Sequence, residues 1–473
     1  MSGDTPGYIG FEAYSERIPE SIPAAVQQAT HRFVDGRATR VAEIPPWEQL
    51  RQIGSDIRLH TLENLDVYLT RFEAAVQAAG GHVHWASTAE EACRIVIEIA
   101  RQHNVRTAVK AKSMATEEIG LNAALEAAGI QAIETDLGEY IIQLAGTGPS
   151  HIIVPAVHLK KGEIAGLFNQ KLGINAPDDP VELTRIARET LREKFLNADM
   201  GISGANFLVA ETGALVMVTN EGNGRMCTTL PEVHVAVAGI DKIIPDWESL
   251  TVFLKLLARS ATGQKISTYT QFITGPRRSE GEFGPKELHL VLLDNGRSRV
   301  LQDPVGREVL KCIRCGACAN VCPVYQNVGG FAYGWFISGP IGAIFSPQIL
   351  GTRVARELPF ASTLCGACVD VCPVKIPITN ILRHLRRRVA QGDEFDTPSM
   401  PAPVRFAAAA GSFALARSWV YRLGARLLPA ATALLRRDGW HTALPYPISR
   451  WTSVRPLPAF SAHFRQWWKA RTR

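Results

Sequence analysis

Cysteine is scarce before position 312: only Cys93 and Cys227 of the chain's nine precede it. The glycine fingerprints of nucleotide binding are missing too. No G-x-G-x-x-G follows a strand pattern and no G-x-x-x-x-G-K-[ST] occurs, so neither a dinucleotide fold nor a P-loop is supported. Acid is nearly absent from residues 401–473, which carry twelve Lys/Arg against Asp438 alone, a balance of +11. With a formal net charge of +6 over the whole chain, residues 1–400 are left at −5, and the basic character belongs to the tail. Charge of either sign is absent from Cys315 to Thr352. Those 38 residues could cross a bilayer by length, but Pro323, Pro340, Pro347 and seven glycines exclude a transmembrane helix. A dry wrap around a buried cofactor suits the run better. Met1–Pro23 carries acid and no apolar core, so a secretory signal is not expected there.

The cysteines that are present are concentrated. Cys312-Ile-Arg-Cys315-Gly-Ala-Cys318-Ala-Asn-Val-Cys322-Pro323 is C-x2-C-x2-C-x3-C-P, and Cys365-Gly-Ala-Cys368-Val-Asp-Val-Cys372-Pro373 repeats it without its first cysteine. Three closely spaced thiolates wrap one corner of an iron–sulfur cubane, and the Cys-Pro thiolate is thrown to the other cluster of a pair. Crossing assigns Cys312, Cys315, Cys318 and Cys372 to one [4Fe–4S] cluster, and Cys322, Cys365 and Cys368 to a second. The position where an eighth cysteine is expected holds Ser362. The second cluster is therefore [3Fe–4S], or [4Fe–4S] with a non-cysteine ligand; Cys227 is a remote candidate for that ligand. Zinc has no use for a third cysteine at the next x2 step plus Cys-Pro. Cysteines two residues apart are too close for three compatible disulfides. Thiolates holding iron imply a reducing compartment and a cytoplasmic protein. Cys93, in an apolar helical pattern, reads as an inert buried thiol.

Upstream, strands alternate with helices. Leu65, Leu69, Phe72 and Val76 have helical spacing before Gly80-Gly81, and Ser87–Glu90 reads as a capping box. Strands are predicted at His82–Trp85, Val105–Lys110, Ile130–Glu134, His151–Val154, Val233–Val237 and Leu288–Leu293. Helices are predicted around Thr116–Ala128 and over Pro180–Leu196, and a hairpin about Thr212-Gly213. The pattern argues an α/β domain at 61–295 with a parallel or mixed sheet. A lead-in at 1–60 precedes it, and a helical two-cluster ferredoxin module at 306–390 and a basic helical tail at 400–473 follow. The tail, with Arg417, Arg422 and Arg426 among Ala and Leu and Trp467-Trp468-Lys469 near its end, suits packing, an acidic partner, or the inner face of a membrane. No recognition module accompanies its charge, so nucleic acid is not expected.

Within the α/β domain, Asp136, Glu139 and Gln143 follow a strand, where ligands collect in open sheets. With His151 and His158 the two carboxylates could bind a metal or serve as acid and base, or all could be ordinary polar groups. Glu221-Gly-Asn-Gly-Arg225 could bring backbone amides and Arg225 to an anion, or be a plain loop. Lys110 and Lys112 are expected in solvent. Spacing alone identifies no catalytic residue.

Thr135-Asp-Leu-Gly-Glu-Tyr140, Pro149-Ser-His-Ile152, Ala210-Glu-Thr-Gly213, Asn220-Glu-Gly-Asn-Gly-Arg225 and Thr228-Thr-Leu-Pro231, followed by the cysteine pair, resemble the lactate utilization protein B family. These are iron–sulfur subunits of the bacterial three-component L-lactate oxidation system. The resemblance runs from about His60 to Pro377, with an echo at Phe464-Arg-Gln-Trp-Trp468. It implies a lactate-utilisation domain related to the CoA-transferase and ribose-phosphate isomerase-like folds, the same seven cysteine ligands, and no established catalytic residue. It also implies two partners, a cysteine-rich subunit and a small protein sharing the α/β domain. The function it implies is electron transfer in oxidation of L-lactate to pyruvate, with the lactate chemistry elsewhere. Two other functions fit the residues: an α/β enzyme or CoA/sugar-phosphate-binding protein with regulatory clusters, and a heterodisulfide reductase-like redox adaptor.

Overall fold

Runs rich in Val, Ile, Leu and Ala pair into one parallel sheet in the computed structural model, which describes residues 10–19, 21–445 and 449–460 with Trp468, Ala470 and Arg471. Most of Met1–Pro23 is described, but Met1–Ile9, Phe464–Trp467 and Lys469 lie outside the described residues. The strands are β1 (His82–Ala86), β2 (Thr107–Lys110), β3 (Gln131–Glu134), β4 (Met200–Ser203), β5 (Phe207–Val209), β6 (Ala214–Thr219), β7 (Val233–Gly239), β8 (Ile243–Ile244), β9 (Tyr269–Ile273) and β10 (Glu287–Leu293). The main sheet runs β1-β10-β7-β4-β2-β3, with every pairing parallel. All seven residues of β7 are buried, as expected of a strand covered on both faces. One face packs Ala92, Val96 and Ile99 with Leu121 and Leu125; the other packs Leu69, Phe72 and Val76. The order reverses between β2 and β4, because β3 joins one side of β2 and β4 the other. Such a reversal opens a crevice at the carboxyl ends of the strands.

A second sheet, β8-β5-β6-β9, carries the expected hairpin, β5 pairing antiparallel with β6 across Ala210–Gly213. Gly213 has φ 71, and a Cβ there would lie 2.7 Å from the Val76 nitrogen. Three local expectations need correction. The helix expected around Thr116–Ala128 is two, Met114–Glu118 and Leu121–Ala127, split at Gly120 with φ 66. The cap of the Ala89–Gln102 helix is Thr88, whose hydroxyl accepts from Glu91 N–H at 3.2 Å. His151–Val154 is no strand: the His151 ring takes the N–H groups of Ile153 and Val154 at 3.0 and 3.1 Å, and a ladder would need those donors.

Residues Met1–Ser399 form one compact unit. Within it a single core joins Phe207, Val209 and Phe253 of the α/β part to Tyr325, Ile344 and Leu382 of the cysteine-bearing part. The helices Ser21–Ala42 and Trp47–Glu63, from the lead-in, contribute Val26, Trp47 and Leu62 to that core. The charge-free run forms the Gly339–Leu350 helix, buried from Gly339 through Gln348. Met400–Arg473 is a second unit, with helices Ala402–Ala416 and Ser418–Ala431 that have no buried residue. Among the described residues, no helix is long and apolar enough to cross a membrane.

Candidate metal centre

Two short stretches 50 residues apart have the same backbone. Arg314 and Leu364 both have positive φ (58 and 57), as do Gly316 and Gly366 (74 and 91). Each glycine caps a one-turn helix, Ala317–Asn320 and Ala367–Asp370, and each helix leads to Cys-Pro. Left-handed residues turn the chain tightly enough for cysteines two apart to face one point. Cys312 Sγ accepts the N–H of Arg314 at 3.3 Å, and Ser362 Oγ accepts the N–H of Leu364 at 3.1 Å. Ser362 thus stands in the second stretch where Cys312 stands in the first.

Cys312, Cys315, Cys318 and Cys372 line one small void of about 20 Å³. Burial pushes the Cys315 thiol up, and Cys372 and Cys312 push it further. Burial pushes Cys368 up to about 12, with Cys322 and Cys365 adding to it. Without a metal these buried thiols stay protonated, and a bound metal would displace their protons. Their grouping, four around one void and three near one another, fits two clusters of the ferredoxin type. When bound, such clusters carry one electron each. The chain supplies N–H donors to sulfur, from Arg314 to Cys312 and from Ile376 to Cys372 at 3.3 Å each, and a dry surround; both tune the potential. Cys365 is exposed, while Cys315, Cys322, Cys368 and Cys372 are buried.

Three arginines of the lead-in helices hold the ligand loops, and the sequence reading missed them. Arg51 donates to the carbonyls of Cys372 at 2.9 Å and Val369 at 3.1 Å. Arg37 donates to Val371 at 3.0 Å. Arg58, 1% exposed, donates to Leu310 at 2.7 Å and Lys311 at 3.3 Å just before Cys312, and to Ile243 at 2.7 Å. The available signal was Arg51 and Arg58 seven apart, on one face of an otherwise amphipathic helix.

The other sequence candidates separate. Cys227 is buried in a different core, 3.3 Å from Thr135 Oγ1, and is not placed to reach a cluster. Cys93 is buried, its thiol pushed up to about 11 and donating to Ile119. Lys110 is fully buried rather than solvated, 2.6 Å from Glu134 and 2.9 Å from Glu117; these carboxylates outweigh burial and hold it protonated. Lys112 is half-buried and donates to the Ile153 carbonyl. His151 is buried between Asn320, at 2.9 Å, and its own loop. His158 packs edge-on against Phe331, with ring centroids 4.7 Å apart. Gln143 pins β3 through the Glu134 N–H and the Ala132 carbonyl. Asp136 caps the Leu137–Ala145 helix, and Glu139 behind it is pushed up to about 8, chiefly by burial. Glu211 accepts from Trp247 N–H at 3.3 Å. Arg225 is exposed on the Asn223–Thr229 helix, so the stretch read as an anion site or a plain loop is in part a helix whose arginine faces solvent.

The LUD domain family matches residues 69–293 and the 4Fe-4S dicluster domain family matches residues 308–376. The chain is 42% identical over 472 residues to lactate utilization protein B of Bacillus licheniformis, covering 98% of each. It is 44% identical over 465 residues to the protein of that name from Shouchella clausii, covering 97% of each. A crystal structure of a DUF162 family protein from Deinococcus radiodurans aligns at 15% identity over 48% of this chain and 98% of that one, with a TM-score of 0.28. Full-length similarity of this order, with both family matches in the same order along the sequence, shows that the chain belongs to the lactate utilization protein B family.

Proposed function

We propose that this chain is the iron–sulfur subunit of a system that oxidises L-lactate to pyruvate, carrying electrons and leaving the lactate chemistry to a partner. The observation that carries the reading is the void lined by Cys312, Cys315, Cys318 and Cys372, three thiols of one motif and the Cys-Pro thiol of the other. These four hold a [4Fe–4S] cluster. Cys322, Cys365 and Cys368 hold the second, which is [3Fe–4S] or a cubane with a non-cysteine ligand; Ser362, placed as Cys312 is, supplies the oxygen in the latter case. Exposed Cys365 marks the second cluster as the one nearer the surface, where a partner would exchange electrons. The partners are a cysteine-rich subunit and a small protein sharing the lactate-utilisation domain. Reduced thiols suit the cytoplasm, and the tail's +11 suits an acidic partner or the inner membrane face.

The test has two arms. Anaerobically purified protein should contain seven or eight irons per chain, in keeping with two clusters, and deletion of the gene should abolish growth on L-lactate. A colourless, iron-free or zinc-only preparation overturns the cluster assignment. Normal lactate growth of a deletion strain without a paralogue overturns the physiological role.

A further inference from the structure

A cavity of about 320 Å³ opens where the strand order reverses, walled by Ser113 beyond β2, Ala205 beyond β4 and Gly239 at the end of β7. Ile152, Ile313 and Arg314 belong both to this wall and to the wall of the thiol-lined void. A ligand in the cavity would therefore share these three wall residues with the first cluster.

The charges on the wall are unevenly engaged. Arg297 is held by Glu118 at 2.7 Å and Asp241 at 2.5 Å. Lys242 lies 3.5 Å from Asp241 and donates to the Cys312 carbonyl, and Lys112 donates to Ile153. Arg314 has no carboxylate within ion-pair distance among the described residues. Its backbone sits at φ 58, its guanidinium lies 4.3 Å from the Phe345 centroid, and its Nη1 is buried with no hydrogen-bond partner. A buried guanidinium donor left unsatisfied costs free energy that an anion bound there would offset. The wall also carries Asp136, Glu221 and Asn223. Asn223 is 6% exposed and its Oδ1 has no partner among the described residues. Burial and the nearby Asp136 push Glu221 up to about 7, so it can either donate or accept a hydrogen bond.

We propose that this cavity binds a small monocarboxylate with a hydroxyl or carbonyl on the adjacent carbon, its carboxylate on Arg314 and Lys112 and its second polar group toward Asn223 and Glu221. One negative charge matches the one guanidinium of this wall that has no ion pair among the described residues. The multiple charges of a coenzyme or sugar phosphate would meet Asp136 and Glu221 in the same cavity. The proposal deepens the lactate reading and rests on it for the choice of acid.

The test is calorimetry on anaerobic, cluster-loaded, full-length protein with L-lactate, pyruvate, inorganic phosphate and coenzyme A. L-lactate or pyruvate should bind one per chain. Arg314→Asn, which removes the cation yet tolerates left-handed backbone, should weaken binding tenfold or more with iron and sulfide unchanged. Should that variant lose its clusters, Lys112→Gln decides, with a weakening of at least severalfold expected. Absence of binding by both acids overturns the proposal. So does binding that Lys112→Gln and a cluster-loaded Arg314→Asn leave unchanged, or displacement of the acids by phosphate or coenzyme A at lower concentration. Normal lactate growth of a deletion strain, beside acid binding by the purified protein, would remove the physiological reading and leave this site standing.

Discussion

Arg51 Nε donates to the carbonyl oxygen of Cys372 at 2.9 Å, across 321 residues of chain. The same guanidinium reaches Val369 and Glu48, so one side chain fixes the loop that delivers the crossing thiol. Arg51→Ala should lower iron per chain and destabilise the unit by roughly 2–3 kcal/mol, the scale of a few charge-assisted bonds lost together. Iron analysis and denaturant melts of the anaerobic protein read both effects.

The crossing itself is open to spectroscopy. Cys372→Ser should deplete the same paramagnetic signal as Cys315→Ser, although Cys372 lies four residues from Cys368. Cys365→Ser should deplete the other signal. A Cys372→Ser variant that instead matched Cys365→Ser would reverse the assignment.

Ser362→Cys should supply an eighth thiolate in the place equivalent to Cys312. The expected result is two ordinary [4Fe–4S] signals and slower loss of iron from the second site in air. Unchanged spectra would mean that the side chain at 362 does not reach the cluster.

Acid should weaken the fold through its buried histidines. Burial lowers His151 to about 4, and its Nδ1 accepts two backbone N–H groups, which protonation would repel. A folded value below the unfolded 6.5 means that the unfolded chain binds the proton first. The contribution is therefore complete above pH 6.5 and is lost as pH falls toward 4, on the order of 3 kcal/mol. His234, lowered by burial to about 3, acts in the same direction. Denaturant melts between pH 7 and 5 should show a shallower loss in His151→Gln than in the parent protein.

Gly330→Ala tests how the α/β part meets the cysteine-bearing part. A Cβ at Gly330 would lie 1.8 Å from the Ser150 carbonyl oxygen, the atom that also accepts from Tyr325 Oη at 2.8 Å. Backbone has to move to make room, so a loss of about 3 kcal/mol in stability is expected, with iron content falling alongside.

Periodicity and spacing carried the alternating strands and helices, because both depend on neighbours a few residues away. The Pro180–Leu196 helix has the bounds its pattern predicts, starting at the Asp179 cap. His151–Val154 has strand composition but gives its backbone donors to an imidazole, a choice made by local side-chain geometry and invisible in hydropathy. Lys110 reads as solvated because the carboxylates that neutralise it, Glu117 and Glu134, come from separate elements brought together by the sheet. The 4Fe-4S dicluster domain was legible because its cysteine spacing is written at short range. The cavity was not, since Lys112 and Glu221 come from separate parts of the α/β domain and Arg314 from the cysteine-bearing part packed on it.

The arginine clamp also orders events in time. Translation delivers Arg37, Arg51 and Arg58 early, and the carbonyls they grip emerge 185–334 residues later. Contacts this distant in sequence form late in folding. Iron and sulfide would therefore be received by a nearly finished polypeptide, and a nascent chain halted before Cys372 would offer the assembly machinery three thiols of the first site without the fourth.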